Sequence, residues 1–217
     1  MADRRRRSPK PLRRTTGIRP PRKTLLVFCE GARTEPEYLE ALRREPAVRE
    51  TASVDIRIDA DSAGFTPLGL VRRAIAARAR AHAEDSEIDE VWCVFDVEWP
   101  KNHPGLLEAE KLADSHGINL AVSNPCFEVW LVLHFAGQEG WLDNVGARKL
   151  RRKYDSRADK GLDPDRYMPH RQVAADRAAR LEQRHSQDGT VFPHDNPSSG
   201  MHRLISSVRP VTGGTTG

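Results

Sequence analysis

A chain of 217 residues, 38% hydrophobic and 30% charged, is long enough to close one α/β domain around its own core, with a terminal arm and a helical extension besides. Nowhere does an apolar run approach the roughly 18 to 20 residues of a membrane span, and the charged start MADRRRRSPK is not followed by the apolar stretch of a secretory signal, so a soluble, cytoplasmic protein without membrane contact is expected. Three cysteines, Cys29, Cys93 and Cys126, are odd in number, lack CxxC spacing and lie within or beside apolar segments, which excludes a disulfide framework and reads as reduced, small hydrophobic residues.

The net charge of +4 conceals a division along the chain. Ten of the 35 Lys and Arg residues but only one of the 31 acids fall in residues 1–23, leaving 25 bases against 30 acids in the rest. The basic arm, rich in Pro and Arg and nearly free of apolar residues, cannot bury enough surface to order itself, so residues 1–23 are expected to be disordered. Such an arm suits the neutralisation of nucleic-acid phosphates; a solubilising tail or a protein anchor is the plainer alternative.

From Thr24 onward short apolar runs alternate with helical stretches, the pattern of βαβ units and a mostly parallel, four-stranded sheet flanked by helices. The first strand, TLLVFCE, is continuously apolar from Leu25 to Cys29, as befits a strand covered on both faces, and ends at Glu30-Gly31. Thr34 then offers an N-cap with Glu37 to complete a capping box, and Tyr38, Leu39 and Leu42 give a helix its apolar stripe. Residues 53–60, SVDIRIDA, alternate with Val54, Ile56 and Ile58 on one face, an edge-strand pattern. Thr66-Pro67 opens the next helix, which runs to about Glu84 with Leu68, Val71, Ile75 and Ala76 inward. The third strand, EVWCVFD, ends on Asp96; a helix over 105–116 follows a Pro-containing loop, and Gly117 caps it before the strand INLAVS. The helix PCFEVWLVLHF completes a core over residues 24–136. Beyond it, residues 137–217 read as a helical extension, with helices over 144–154, 171–186 and 198–208 and a flexible tail.

The carboxylates are informative by placement. In a parallel sheet, ligands bind at the carboxyl ends of the strands, where Glu30, Asp96 and Glu98 all fall. Residues two apart in extended chain project to one side, so Asp96 and Glu98 are expected to face one ligand together, and all three acids share a rim if the first and third strands are neighbours. Carboxylates so close repel one another, and a hard cation relieves them. Oxygen-only ligation suits Mg²⁺ or Mn²⁺ rather than zinc, and a metal held in this way can activate water against a phosphodiester. Ordinary strand-end acids are the alternative.

Three blocks, LLVFCEGARTEPEYLEAL, VWCVFDVE and SNPCFEVWLVLHF, with a weaker echo in NPSSGMHRLI, make the chain resemble the RloB family, a group related to Toprim nucleases and associated with phage defence. The resemblance implies a Toprim-like α/β catalytic core in which Glu30 is the motif glutamate and Asp96 and Glu98 stand at the DxD positions. It further implies a metal-dependent nuclease acting on DNA or RNA, including tRNA, beside an ATPase partner; homo-oligomerisation is left open. The D-V-E spelling here places the second carboxylate one methylene further out.

Other residues near these blocks carry readings of their own. Glu128, amid apolar neighbours, is either a fourth metal ligand or an acid that favours the helix dipole. Asn124 either contacts substrate phosphate or caps the helix, the cap being the simpler reading. Lys101 and His103 could neutralise a scissile phosphate or protonate the leaving oxygen, against plain loop solvation. Arg33 beside Glu30 is a candidate phosphate contact, His134 a core histidine, and Arg151, Arg152 and Lys153 either a solvated face or a nucleic-acid track. The rival function is a non-catalytic adaptor that docks an ATPase or nucleic acid.

Overall fold

The computed structural model describes residues 23–51, 54–155 and 161–209. The expected disordered arm lies outside these except for Lys23, which belongs to the first strand, and the expected flexible tail after residue 209 also lies outside them. Strands β1 (Lys23–Cys29), β2 (Val54–Ile58), β3 (Glu90–Asp96), β4 (Asn119–Asn124) and β5 (Ser198–Ser199) form one sheet in the order β2-β1-β3-β4-β5. The first four are parallel and β5 runs antiparallel to β4. The sheet thus has five strands rather than four. The extra one is only two residues long, pairing Ser198 with Asn124 and Ser199 with Ser123, and is too short to announce itself by alternation.

The helices are α1 (Thr34–Arg44), α2 (Pro67–Ala83), α3 (Leu106–Ser115), α4 (Glu128–Leu133), α5 (Asn144–Tyr154), α6 (Pro164–Tyr167), α7 (Arg171–Gln187) and α8 (Met201–Ser207). Continuous apolar strands divide their side chains between two layers, because successive residues face opposite ways. Leu25, Val27 and Cys29 of β1 and Trp92 and Val94 of β3 join a core shared with α1, α4, α5, α7 and α8. Phe28, Val91, Cys93 and Phe95 face the opposite layer, against Leu70, Val71 and Ala74 of α2 and Leu106 and Ala109 of α3. In α2 the buried stripe runs through Leu70 and Ala74; Ala76, expected inward, is exposed.

Local signals act much as their chemistry dictates. Thr66 caps α2, its hydroxyl accepting the Gly69 N–H at 3.3 Å, and Gly117 closes α3 with φ +61°, a conformation that favours glycine. The cap of α1 falls on Arg33 and involves no side-chain hydrogen bond, so the capping box expected at Thr34 is not formed. Helix α4 is shorter than its sequence suggested, because the chain stays extended through Asn124 and turns at Pro125-Cys126. Among the described residues no helix is long and apolar enough to cross a membrane.

His134 just past α4 is a satisfied core histidine, as its setting in the sequence suggests. It is 2% exposed, with Nδ1–H donating to the Trp130 carbonyl (2.9 Å) and the Tyr38 hydroxyl donating to Nε2 (3.1 Å). Burial pushes its pKa down to about 4, so the ring is neutral in the fold. Unfolding restores a normal histidine, which binds a proton below about pH 6.5. Stability contributed by the neutral ring is therefore present above pH 6.5 and is lost as the pH falls towards 4, on the order of 3 kcal/mol in all. Denaturant titrations between pH 7 and 4 should show this acid-side loss in the native chain and a shallower one in His134→Gln.

Arg151 is 5% exposed and does not extend a nucleic-acid track. Its guanidinium donates to the Gly161 carbonyl at 2.6 Å and lies 3.5 Å from Asp155, which also accepts the Tyr167 hydroxyl at 2.8 Å. Arg152 and Lys153 remain exposed. Asp155→Ala should strand the buried guanidinium and destabilise the fold by about 3–5 kcal/mol, whereas Tyr167→Phe should cost about 1 kcal/mol; chemical denaturation of both variants measures the difference.

Candidate active site

Strands β1 and β3 are neighbours, with Cys29 opposite Val94. That register carries the chain directly to Glu30 beside the end of β3, where the Glu30 N–H donates to the Val94 carbonyl at 3.0 Å. The Glu30 side chain bends towards β3, Oε2 accepting the Asp96 N–H at 3.2 Å and Oε1 lying 2.6 Å from His103 Nε2. Burial raises the Glu30 pKa and the nearby Glu98 charge adds to this, while the Asp96 N–H and His103 oppose it.

Asp96 is the most perturbed acid of the rim. Burial, followed by the charges of Glu35, Glu128 and Glu30, pushes its carboxyl well above the usual range, against one opposing hydrogen bond from the Phe127 backbone. Its Oδ1 is sealed from solvent and has no hydrogen-bond partner among the described residues. An ionised oxygen in that position is costly unless a proton or a cation meets it.

Glu98 does not continue the strand as expected. β3 stops at Asp96, Val97 is fully buried, and Glu98 takes φ +66°, so the two acids do not project together by alternation. Backbone bonds from Val97 to Ser123 O (3.0 Å) and from Glu98 to Pro125 O (2.9 Å) hold this turn against the end of β4. Asn144, the first residue of α5, orients Glu98: its Nδ2 donates to Oε2 at 2.6 Å and its Oδ1 accepts the Trp99 N–H at 3.0 Å. The loop then folds back, His103 N–H to Val97 O at 3.0 Å, which returns the imidazole to Glu30. Lys101 is exposed and makes no ion pair to these carboxylates.

Glu128 opens α4 with its side chain 17% exposed, its charge felt at Asp96 and its Oε1 3.9 Å from Arg148 Nε of α5. Asn124 does not cap a helix. It is 1% exposed and its Nδ2 donates to Pro193 O (3.0 Å) and Asp195 Oδ1 (3.1 Å), tethering the chain before β5. Arg33 is engaged by Glu37 at 2.9 Å along the exposed side of α1.

Glu35 was not singled out from the sequence, although it ends the block CEGARTE. It is 7% exposed, and a Cβ on Gly31 would stand 2.1 Å from its Oε2, so the glycine is what lets this carboxylate lie over the Glu30 turn. The other residue missed is Asn144, which as a first-turn polar residue resembled any helix opening. Cys126 between these acids is no nucleophile: burial and the Glu128 and Asp96 charges push its thiol up.

The charges of Glu30, Glu35 and Glu128 thus all bear on Asp96. As their side chains stand, no group of three or more His, Cys, Asp or Glu among the described residues is arranged to hold a metal ion. Glu30 is turned to His103 and a backbone N–H, while Asp96 Oδ1 has no hydrogen-bond partner among the described residues.

The fold and rim define an α/β protein with acids gathered where neighbouring parallel strands end. The chain belongs to the RloB-like protein family, whose model matches residues 25–208. Searches of curated proteins and of solved structures gave no match.

The Asp96 environment has a measurable cost. Because its folded pKa is raised, the cost to folding builds as the pH rises from the free carboxyl's range to the folded value, and it is relieved on acidification. Asp96→Asn removes the charge while keeping a carbonyl for the Phe127 N–H. In EDTA at neutral pH the variant should melt about 2–4 °C higher than the native chain; a lower melting temperature would show that the ionised carboxylate holds the fold together.

Proposed function

We propose that the chain is a divalent-metal-dependent phosphodiesterase, a nuclease of Toprim-like plan that cleaves DNA or RNA, tRNA included, in the cytoplasm. The observation that carries this reading is Asp96 at the end of β3, its Oδ1 buried without a partner amid the charges of Glu35, Glu128 and Glu30. A built-up negative field around an unmet oxygen suits a hard cation. Membership of the RloB-like family supports the same reading, and with it a role in anti-phage defence beside an ATPase partner.

Mg²⁺ or Mn²⁺, when bound, activates water and neutralises a phosphate oxygen. Asp96, Glu30 and Glu128 are the residues we assign to hold it, with Glu98 kept in position by Asn144. His103 Nε2 lies 2.6 Å from Glu30 Oε1, and we assign this residue the protonation of the leaving oxygen. Glu35, covered by the Glu30 turn, raises the demand for positive charge at Asp96.

A non-catalytic adaptor is favoured by one observation, that among the described residues three ligating side chains do not already converge. Incubating the full chain with supercoiled plasmid or with tRNA separates the two. Cleavage should require Mg²⁺ or Mn²⁺ and fall about 100-fold or more in both Glu30→Gln and Asp96→Asn. Intact substrate under every divalent metal would instead leave the adaptor.

A further inference from the structure

Trp141 is the largest hydrophobic side chain that stands in the open among the described residues, 58% exposed, and Val145 of α5, four residues on, is 70% exposed. Its ring meets Trp99 edge to face, centroids 5.8 Å apart at 88°. This pair is built rather than incidental. Asn196 holds the Trp141 segment at both ends of one residue, accepting the Leu142 N–H (3.0 Å) and donating to the Leu142 carbonyl (2.7 Å). Asn144 binds the Trp99 N–H with the same side chain that orients Glu98. The aromatic pair therefore adjoins the carboxylate rim.

Helix α5 leads away from that pair with a basic surface. Arg148, Lys149, Arg152 and Lys153 are exposed, no acid lies within the helix, and Asp143 before it is spent on the Gly146 N–H at 2.6 Å. Arg148 is 3.9 Å from Glu128, so the basic strip reaches the rim as well. An exposed, positioned indole next to a line of cations matches one chemistry in particular: unpaired bases stack on the ring while phosphates follow the cations. A base inside a duplex presents no free face for such stacking.

From this arrangement we infer that Trp141, backed by Trp99, is a stacking platform for an unpaired nucleobase, and that α5 carries the adjoining phosphates, making single-stranded nucleic acid the preferred occupant of the site. The inference rests on the phosphodiesterase reading for its meaning but is tested without catalysis. In EDTA, the full chain is titrated with a labelled oligothymidylate of about 12 nucleotides and with a blunt duplex of the same length. The single strand should bind more tightly and quench tryptophan emission. Trp141→Ala should weaken single-strand binding about tenfold, abolish most of the quenching and leave duplex binding nearly unchanged, and Trp141→Phe should recover most of the affinity. Lys149→Ala with Arg152→Ala should lower the slope of log affinity against log salt by about 1.4.

Unchanged single-strand affinity in Trp141→Ala, or an equal loss for the duplex, overturns the inference. So does loss of a protein partner by Trp141→Ala with nucleic-acid binding intact, which would make the patch a protein-docking surface. Stacking that depends on Trp141 without cleavage under any metal sinks the phosphodiesterase reading alone; cleavage without that dependence sinks this inference alone.

Discussion

The parallel pairing of β1 with β3 in one register is the constraint on which the rest of the site depends. With Cys29 opposite Val94, Glu30 leaves its strand level with the last turns of β3, and its carboxylate is close enough to take the Asp96 N–H. A shift of one residue would turn every side chain of β1 to the other face and send Glu30 away from Asp96. What fixes the register is apolar burial in two layers: Leu25, Val27 and Cys29 on one side, Phe28 on the other, all but free of solvent. The placement of these acids is thus held by apolar burial in the two layers.

The same burial creates the electrostatic tension at the rim. The Asp96 carboxylate sits where water solvates it poorly, its Oδ1 sealed from solvent, and three other acids repel its charge. A fold optimised for stability alone would place an amide or a cation there. His103 relieves Glu30 and Arg148 stands off Glu128, but neither is among the main influences on Asp96. Tension of this kind, concentrated on one oxygen, is a cost to folding that the described neighbours do not offset.

How much of this could be read from the residues depended on whether the signal was local. Continuous apolar runs ending on Glu30 and Asp96 revealed the strands and the rim, and Thr66-Pro67 and Gly117 marked helix ends because their chemistry acts within one turn. Alternation failed at Glu98, where a left-handed residue interrupts the extended chain. Arg33, Asn124 and Arg151 were open to functional readings because their partners, Glu37, Asp195 and the Gly161 carbonyl, are settled by tertiary packing or helix pitch rather than by the motif. Glu35 was hidden by a subtler cause. As one of two acids in the first turn of a helix it carries no local sign of burial, and only the bare backbone of Gly31 makes room to bury it.

The helices beyond residue 136 bear on the site as directly as the strands do. Ala147, Tyr167, Ala174, Leu181 and Leu204 share one continuous apolar core with Tyr38 of α1 and Trp130 of α4, so these segments have no separate interior. Through that packing α5 delivers Asn144 to Glu98 and Arg148 to Glu128, two of the rim's acids. An α/β core ending near Ala136 would keep Glu30 and Asp96 but lose the side chain that orients Glu98 and the cation that faces Glu128. The rim is therefore a joint product of the sheet and the later helices, and the carboxylates nearest α5 are those whose positions the parallel strands alone do not determine.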